Sequence, residues 1–240
     1  MDKFYFYWGW NREQYSRSNI SFQGMDYDFS LSKVHAHDRQ SKFSFDKYIN
    51  PSNATIPQYN FRFGYFFKDN YNISIGIDHM KYVLSQDQKV KIDGTIKDER
   101  STYFGDYENE DILLGEDFLK FEHTDGLNFV NLDLRRFVNL WKYKNLNIAH
   151  TEGLGVGLLI PRTDATVLGR ERHDEFHISG YGVSAVIGLN FRLYRYFFIQ
   201  TEYKAGFISM QDIVTGYTEA DKAQQSFFFS QFNISFGSGF

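Results

Sequence analysis

In the segment FHISGYG, His177 and Ser179 stand two residues apart. In a strand, that spacing puts an imidazole and a hydroxyl on one face. Such a pair can serve as base and nucleophile on an acyl ester when an acid orients the imidazole. Arg62, Asp78, Asp133, Arg135, Glu202 and Lys204 form a second set, falling on the polar parity of different alternating segments. Three acids and three bases can neutralise one another, which charges in a low-dielectric interior require. They read either as a polar plug or as a gated ion path. The third set lies in DYENED, where Asp106, Glu108, Glu110 and Asp111 offer the oxygen density that Ca²⁺ or Mg²⁺ favours, at a spacing that matches no EF-hand loop. His35, His37 and Asp38 in VHAHD would share a metal only with a further ligand. Asp78 and His79 are adjacent, so a regular strand points them to opposite faces and forbids a direct dyad.

These residues need elements to position them, and the elements are strands. The chain ends on SQFNISFGSGF, where Phe228, Phe232, Ile234, Phe236 and Phe240 share one parity and Gln231, Asn233, Ser235, Gly237 and Gly239 the other. The same period of two recurs over residues 4–12, 57–68, 72–84, 127–140, 146–161, 177–191 and 196–210, making eight strands in all. Tight connections at 68–71, 141–145 and 192–195 alternate with long polar segments at roughly 13–55, 85–126, 162–176 and 211–224. Short turns on one side and long loops on the other are the plan of an antiparallel transmembrane β-barrel, with short periplasmic turns and long extracellular loops. Eight strands close such a barrel without edges. Residues 1–240 then form a single outer-membrane barrel domain.

Composition agrees. The chain has 26 Phe, 17 Tyr and 3 Trp among 240 residues, with only 3 Pro, yet its mean hydropathy is negative. No run of 18 apolar residues exists to make a spanning helix. Absence of cysteine excludes disulfides, thiolate metal sites and a cysteine nucleophile. A net charge of -4 leaves no general footprint for nucleic acid. An outer-membrane protein needs an export signal, and none is visible, so Met1 is read as standing in place of a removed one. A soluble lipocalin-type barrel is the alternative. It would turn the apolar parity inward and put Lys and Glu, rather than Gly, Ser and Asn, on the other face.

Two of the long segments carry more than polarity. Residues 18–36 alternate about Gly24 and Met25, as an extracellular hairpin, as barrel wall above the bilayer, or as two further strands giving a ten-stranded runner-up. The segment 87–125 holds twelve acids against five bases, reading as a solvated loop that Ca²⁺ or Mg²⁺ would bridge to lipopolysaccharide. Within it, ILLGEDFLKF at 112–121 brings large apolar residues that need cover, such as a docked partner.

With its closing FNISFGSGF, the chain resembles small outer-membrane β-barrels of the OmpA and OmpX type. Phe232, Ile234, Phe236 and Phe240 are similar to the signal read by the barrel assembly machinery, from which Ser238 departs. YWGWNREQYS, TIPQYNFRFGYFF and ISIGIDHMKYV look like segments of Bacteroidota-type outer-membrane proteins. The resemblance implies a Gram-negative outer-membrane location. His177 and Ser179 are similar to the His-x-Ser pattern of lipid A 3-O-deacylases, although Gly180 stands where that family has Asn and the family's glutamate would fall near Phe191. The expected function is non-enzymatic: a structural, adhesion or accessory-subunit role through the extracellular loops, over a closed, charge-filled lumen and within a larger outer-membrane complex. A lipid A-modifying acyl hydrolase using His177 and Ser179, and a narrow channel or transporter, are the alternatives.

Overall fold

Alternating sequence becomes strand wherever its two faces meet different surroundings, and here they do. The computed structural model describes residues 3–48, 50–53, 57–194 and 196–240. Met1, Thr55, Ile56 and Arg195, each part of a reading above, lie outside the described residues. Among the described residues the strands, in chain order, are β1 (Phe4–Tyr15), β2 (Ser18–Gln23), β3 (Tyr27–Val34), β4 (Ala36–His37), β5 (Tyr59–Lys68), β6 (Tyr71–Leu84) and β7 (Gln88–Ile96). They continue with β8 (Gly105–Leu114), β9 (Leu119–Tyr143), β10 (Leu146–Val167), β11 (His173–Phe176), β12 (Gly180–Leu193), β13 (Phe197–Val214) and β14 (Lys222–Gly239). Among the described residues a short helix, α1 (Phe45–Tyr48), and a single 3₁₀ turn at Pro51–Asn53 interrupt them.

Eight of these strands form a ring in the order β1-β5-β6-β9-β10-β12-β13-β14, all antiparallel. It closes because β1 pairs with β14 as well as with β5, in an unbroken register from Tyr5 opposite Gly239 to Tyr15 opposite Phe229. Phe4 and Phe240 seal the seam by exchanging both backbone hydrogen bonds at 2.9 Å. The ring therefore has eight strands, and the ten-stranded count is set aside: β2 and β3 stand above the ring.

The apolar parity faces outward. Leu154 is 69% exposed and Phe232 54%, whereas Asn233 on the opposite parity is 0% exposed. Around the ring Phe61, Ile75, Leu132, Val156, Ile187 and Ile234 continue this belt, which removes the lipocalin alternative. A closed ring leaves no backbone edge in hydrocarbon, and an apolar belt suits lipid. This is the architecture of an outer-membrane barrel, and the outer membrane is where the chain resides. Among the described residues no helix is long and apolar enough to cross a membrane.

Several strands outrun the bilayer. A spanning strand needs about 9–11 residues, while β9 has 25 and β10 has 22. Where the wall leaves the membrane, its inward parity changes character. Along β14 the buried residues run Ser235, Asn233, Gln231 and then Phe229, Phe227; along β9 they run Arg135, Asp133, Asn131 and then Phe129, Leu127. The segments read as polar loops are therefore partly structured. β2 pairs with the upper end of β14, β3 with β2, β7 with β3 and β8 with β7. They fold onto the extended wall as a cap with its own apolar core of Phe22, Phe29, Ile92, Leu114, Phe118 and Phe121, among others. Alternation about a turn at Gly24 to Asp26 made β2 and β3 a hairpin. The segment 112–121 needs no partner for cover: Leu114, Phe118, Leu119 and Phe121 are buried by the cap itself, and Leu113 is the exposed exception.

Candidate functional site

From the periplasmic end upward, the interior is layered. The lowest layer is aromatic: Tyr5, Tyr7 and Phe198 are buried together, with Phe66 packed beneath. Tyr5 touches the rings of Phe66, Phe137 and Phe198, and Tyr7 meets Phe198 edge-on. Glycine makes this floor. A Cβ at Gly64 would overlap the Tyr5 ring, and one at Gly237 would overlap Phe198.

Above the floor sit the six lumen charges, all buried. Arg62 Nη1 donates to Asp133 Oδ2 at 2.9 Å, and Arg135 Nη2 donates to the same oxygen at 2.8 Å. Arg135 Nη1 pairs with Glu202, and Lys204 with Asp78. Asn131 joins the halves, accepting from Arg62 at 2.6 Å and donating to Asp78 at 2.9 Å. Tyr7 links network to floor through Arg62 Nε and Glu202, each at 3.1 Å. Three acids and three bases cancel, and each charge has at least one opposite partner, the condition under which buried charges are tolerated.

Polar residues beyond these six join the interior. Gln58 donates to both Glu13 and Asp38, and Gln231 donates to Glu13 at 2.9 Å. Parity was the available signal for both: Glu13 shares the inward parity of Asn11 on β1, and Gln58 that of Asn60 and Arg62 in the segment 57–68. Above them the core of the cap begins, with Phe129 against Phe229 at 6.2 Å and Tyr82 stacked on Phe227 at 5.0 Å. Aromatic side chains thus flank the charged layer below and above, while past the floor Asn190 donates to Gln200 at 2.7 Å and Gln200 to Glu202 at 2.8 Å.

At the rim, residues 177–179 precede β12 and are not part of a strand, so parity does not decide their direction. His177 Nε2 lies 2.9 Å from Asp212 Oδ2. Lys222 holds the other Asp212 oxygen at 2.7 Å, and these two partners keep the Asp212 carboxyl below the usual carboxylate range. Ser179 is 1% exposed and its hydroxyl faces the His177 carbonyl at 3.5 Å. The imidazole thus has its acid, but the hydroxyl is turned away from it and buried, not on the lipid face. Nothing in this geometry activates Ser179 as a nucleophile.

Other candidates separate in the same way. Asp106, Glu108 and Glu110 are strung along the exposed strand β8. Asp111 turns to Lys89 and Lys91 at 3.0 and 2.9 Å, and those ammonium groups hold its carboxyl low. His35 and His37 each place Nδ1 3.0 Å from the Ser85 hydroxyl, whereas Asp38 turns away to Gln58 and Gln40. Among the described residues no three acids or histidines gather as a metal site. Asp78 lies in the lumen and His79 stacks on Tyr59 at 4.8 Å, on opposite sides of the wall. Phe232, Ile234, Phe236 and Phe240 all face outward.

No protein-family model matches the chain, and no curated protein matches it. Solved structures do, as shapes. Ail, the attachment invasion locus protein of Yersinia pestis, is 10% identical over 98% of this chain and 99% of its own, with a TM-score of 0.31. Neisserial surface protein A is 6% identical over 99% and 97%, at 0.39. The outer membrane protein OprG from Pseudomonas aeruginosa is 10% identical over 100% and 96%, at 0.41. The assignment of the fold rests on the closed ring and its apolar belt.

Proposed function

We propose that this outer-membrane barrel is a non-enzymatic, non-conducting surface protein whose cap docks onto a larger outer-membrane assembly as an accessory subunit. The observation that carries the reading is the cap core. Phe22, Phe29, Phe118 and Phe121 pack at ring separations of 5.3 to 5.5 Å, giving the extracellular strands a fixed shape in place of mobile loops. A rigid element suits recognition because little ordering is left to be done on binding. Among the described residues β8 ends the sheet path and pairs only with β7. Its exposed Asp106, Glu108 and Glu110 favour a basic partner surface, while the same charges guard the edge against indiscriminate strand pairing.

The experiment is purification from native membranes in mild detergent, with mass spectrometry of whatever stays bound. A stoichiometric outer-membrane partner is expected, and the D106N/E108Q/E110Q variant is expected to lose it while remaining a folded barrel. A protein that purifies alone, or a partner indifferent to the three substitutions, overturns the proposal.

A further inference from the structure

Between β4 and β5 the chain leaves the sheet and folds back onto the outside of the barrel. Gln40 Nε2 donates to the carbonyl of Asn11 at 3.1 Å, which ties the segment to β1 beside Trp10. Tyr48 brings its ring to Trp10 at 5.5 Å. Phe43 meets Tyr48 at 5.2 Å and Phe45 at 5.6 Å. The segment also braces itself. The Lys47 amide donates to Ser44 Oγ at 3.2 Å, the Tyr48 amide to the Ser44 carbonyl at 3.0 Å, and the Tyr48 hydroxyl to the Ser41 carbonyl at 2.8 Å. Phe45 and Tyr48 are three residues apart, so the single turn of α1 puts both on one side.

Trp10 fixes where this aromatic cluster lies. It follows Phe4, Phe6 and Trp8 on the lipid face of β1, and it touches Trp8 and Phe236 of the belt at 4.9 and 5.9 Å. Two residues on, the same face carries exposed Arg12. On β1 the belt therefore ends at Trp10, and aromatic side chains at that level mark a membrane interface. Phe43 and Phe45 continue the belt beyond the strand, 70% and 73% exposed. Apolar area of this kind, continuous with a lipid-facing belt, has lipid as its cover. Charge agrees. Asp46, the one acid of residues 39–48, accepts from Asn50 and Asn53, each at 3.0 Å, and Arg39 is paired with Glu122. Lys42 and Lys47 then give the segment the sign that lipid phosphates attract.

We infer that residues 42–48 are an interfacial foot seated in the outer leaflet. Phe43 and Phe45 enter the boundary of the acyl chains beside Trp10, and Lys42 and Lys47 meet the lipid phosphates.

The chain has no cysteine, so one introduced thiol carries a single nitroxide label. Phe43→Cys and Phe45→Cys are labelled separately in the whole chain, folded and placed in nanodiscs of phosphatidylcholine and phosphatidylglycerol. Val156→Cys in the belt and Met25→Cys in the turn between β2 and β3 give the lipid and water limits. Electron paramagnetic resonance compares collisions of each label with oxygen, which concentrates in lipid, and with a nickel chelate, which stays in water. Both foot labels are expected about 5–10 Å below the phosphates, the depth of an interfacial helix, with an oxygen preference nearer to that at Val156 than to that at Met25. Adding Lys42→Glu and Lys47→Glu should lift both labels towards the Met25 value. Heat-modifiable gel mobility verifies that each variant is folded. Nickel-chelate access equal to that at Met25 overturns the inference. So does indifference to the lysine reversals, and so does dipolar coupling between labels of two chains, which assigns this face to a second copy.

Discussion

His123 on β9 holds Nδ1 3.0 Å from the Thr163 hydroxyl on β10, while its Nε2 is buried without a partner. It lies in the extracellular extension of the wall, between the rings of Tyr82 and Phe121. Burial pushes its pKa down to about 3, so the native cap keeps the imidazole neutral, whereas the unfolded chain protonates it near pH 6.5. Stability from this site is therefore complete above about pH 6.5 and is lost progressively as pH falls towards 3. The full loss is on the order of 5 kcal/mol. Urea unfolding of the cap, followed by tyrosine circular dichroism at pH 5 and pH 7.5, should show a lower midpoint at pH 5. His123→Phe should remove most of that difference; an unchanged pH dependence in this variant would sink the explanation.

Much of the barrel was legible because lipid and lumen impose opposite demands on alternate residues, which writes period two into β5, β6, β12 and β14 alike. The cap was less legible for the same reason. Its strands alternate too, but Gln88–Ile96 and Gly105–Leu114 carry charge on their exposed face, and an acid-rich count masks Val90, Ile92 and Leu114 beneath it. The six lumen charges were visible as parity; which acid meets which base was not, since Lys204 and Asp78 are brought together by ring closure. Ser179 misled because its spacing from His177 has meaning only inside a strand, and β12 begins one residue later, at Gly180.

Lys204 and Asp78 supply the second expectation. Without the ammonium, Asp78 keeps Asn131 at 2.9 Å and Arg62 Nη2 at 3.9 Å. Lys204→Met should lower stability by about 3–5 kcal/mol, the cost of stranding one charge of a buried pair. Asp78→Asn combined with Lys204→Met should lose clearly less than the two single losses added together. Urea midpoints of the four proteins in micelles complete the cycle, and strict additivity would mean that the two side chains do not act as a pair.

The layered lumen predicts silence in planar bilayers. Phe198→Ala opens the floor alone and Phe129→Ala the upper layer alone, so each single variant should remain closed at the other layer. Steady conductance from the unaltered protein would refute the layered seal.

Gly64 and Tyr5 make the sharpest steric case. The Tyr5 ring covers the glycine where a Cβ would stand, and its hydroxyl donates to Asn72 at 2.8 Å. Gly64→Ala must displace either the ring or the strand, at about 1–3 kcal/mol. Two causes of that loss are separable: a β-strand gains by exchanging Gly for Ala when space allows, so steric overlap has to outweigh a favourable backbone effect. Tyr5→Ala removes the obstacle and forfeits ring contacts with Phe66, Phe137 and Phe198. In the Tyr5→Ala background, Gly64→Ala should therefore become neutral or slightly stabilising. Urea midpoints give the sign directly, and a Gly64→Ala loss of equal size in both backgrounds would show that the glycine is needed for its backbone and not for the ring above it.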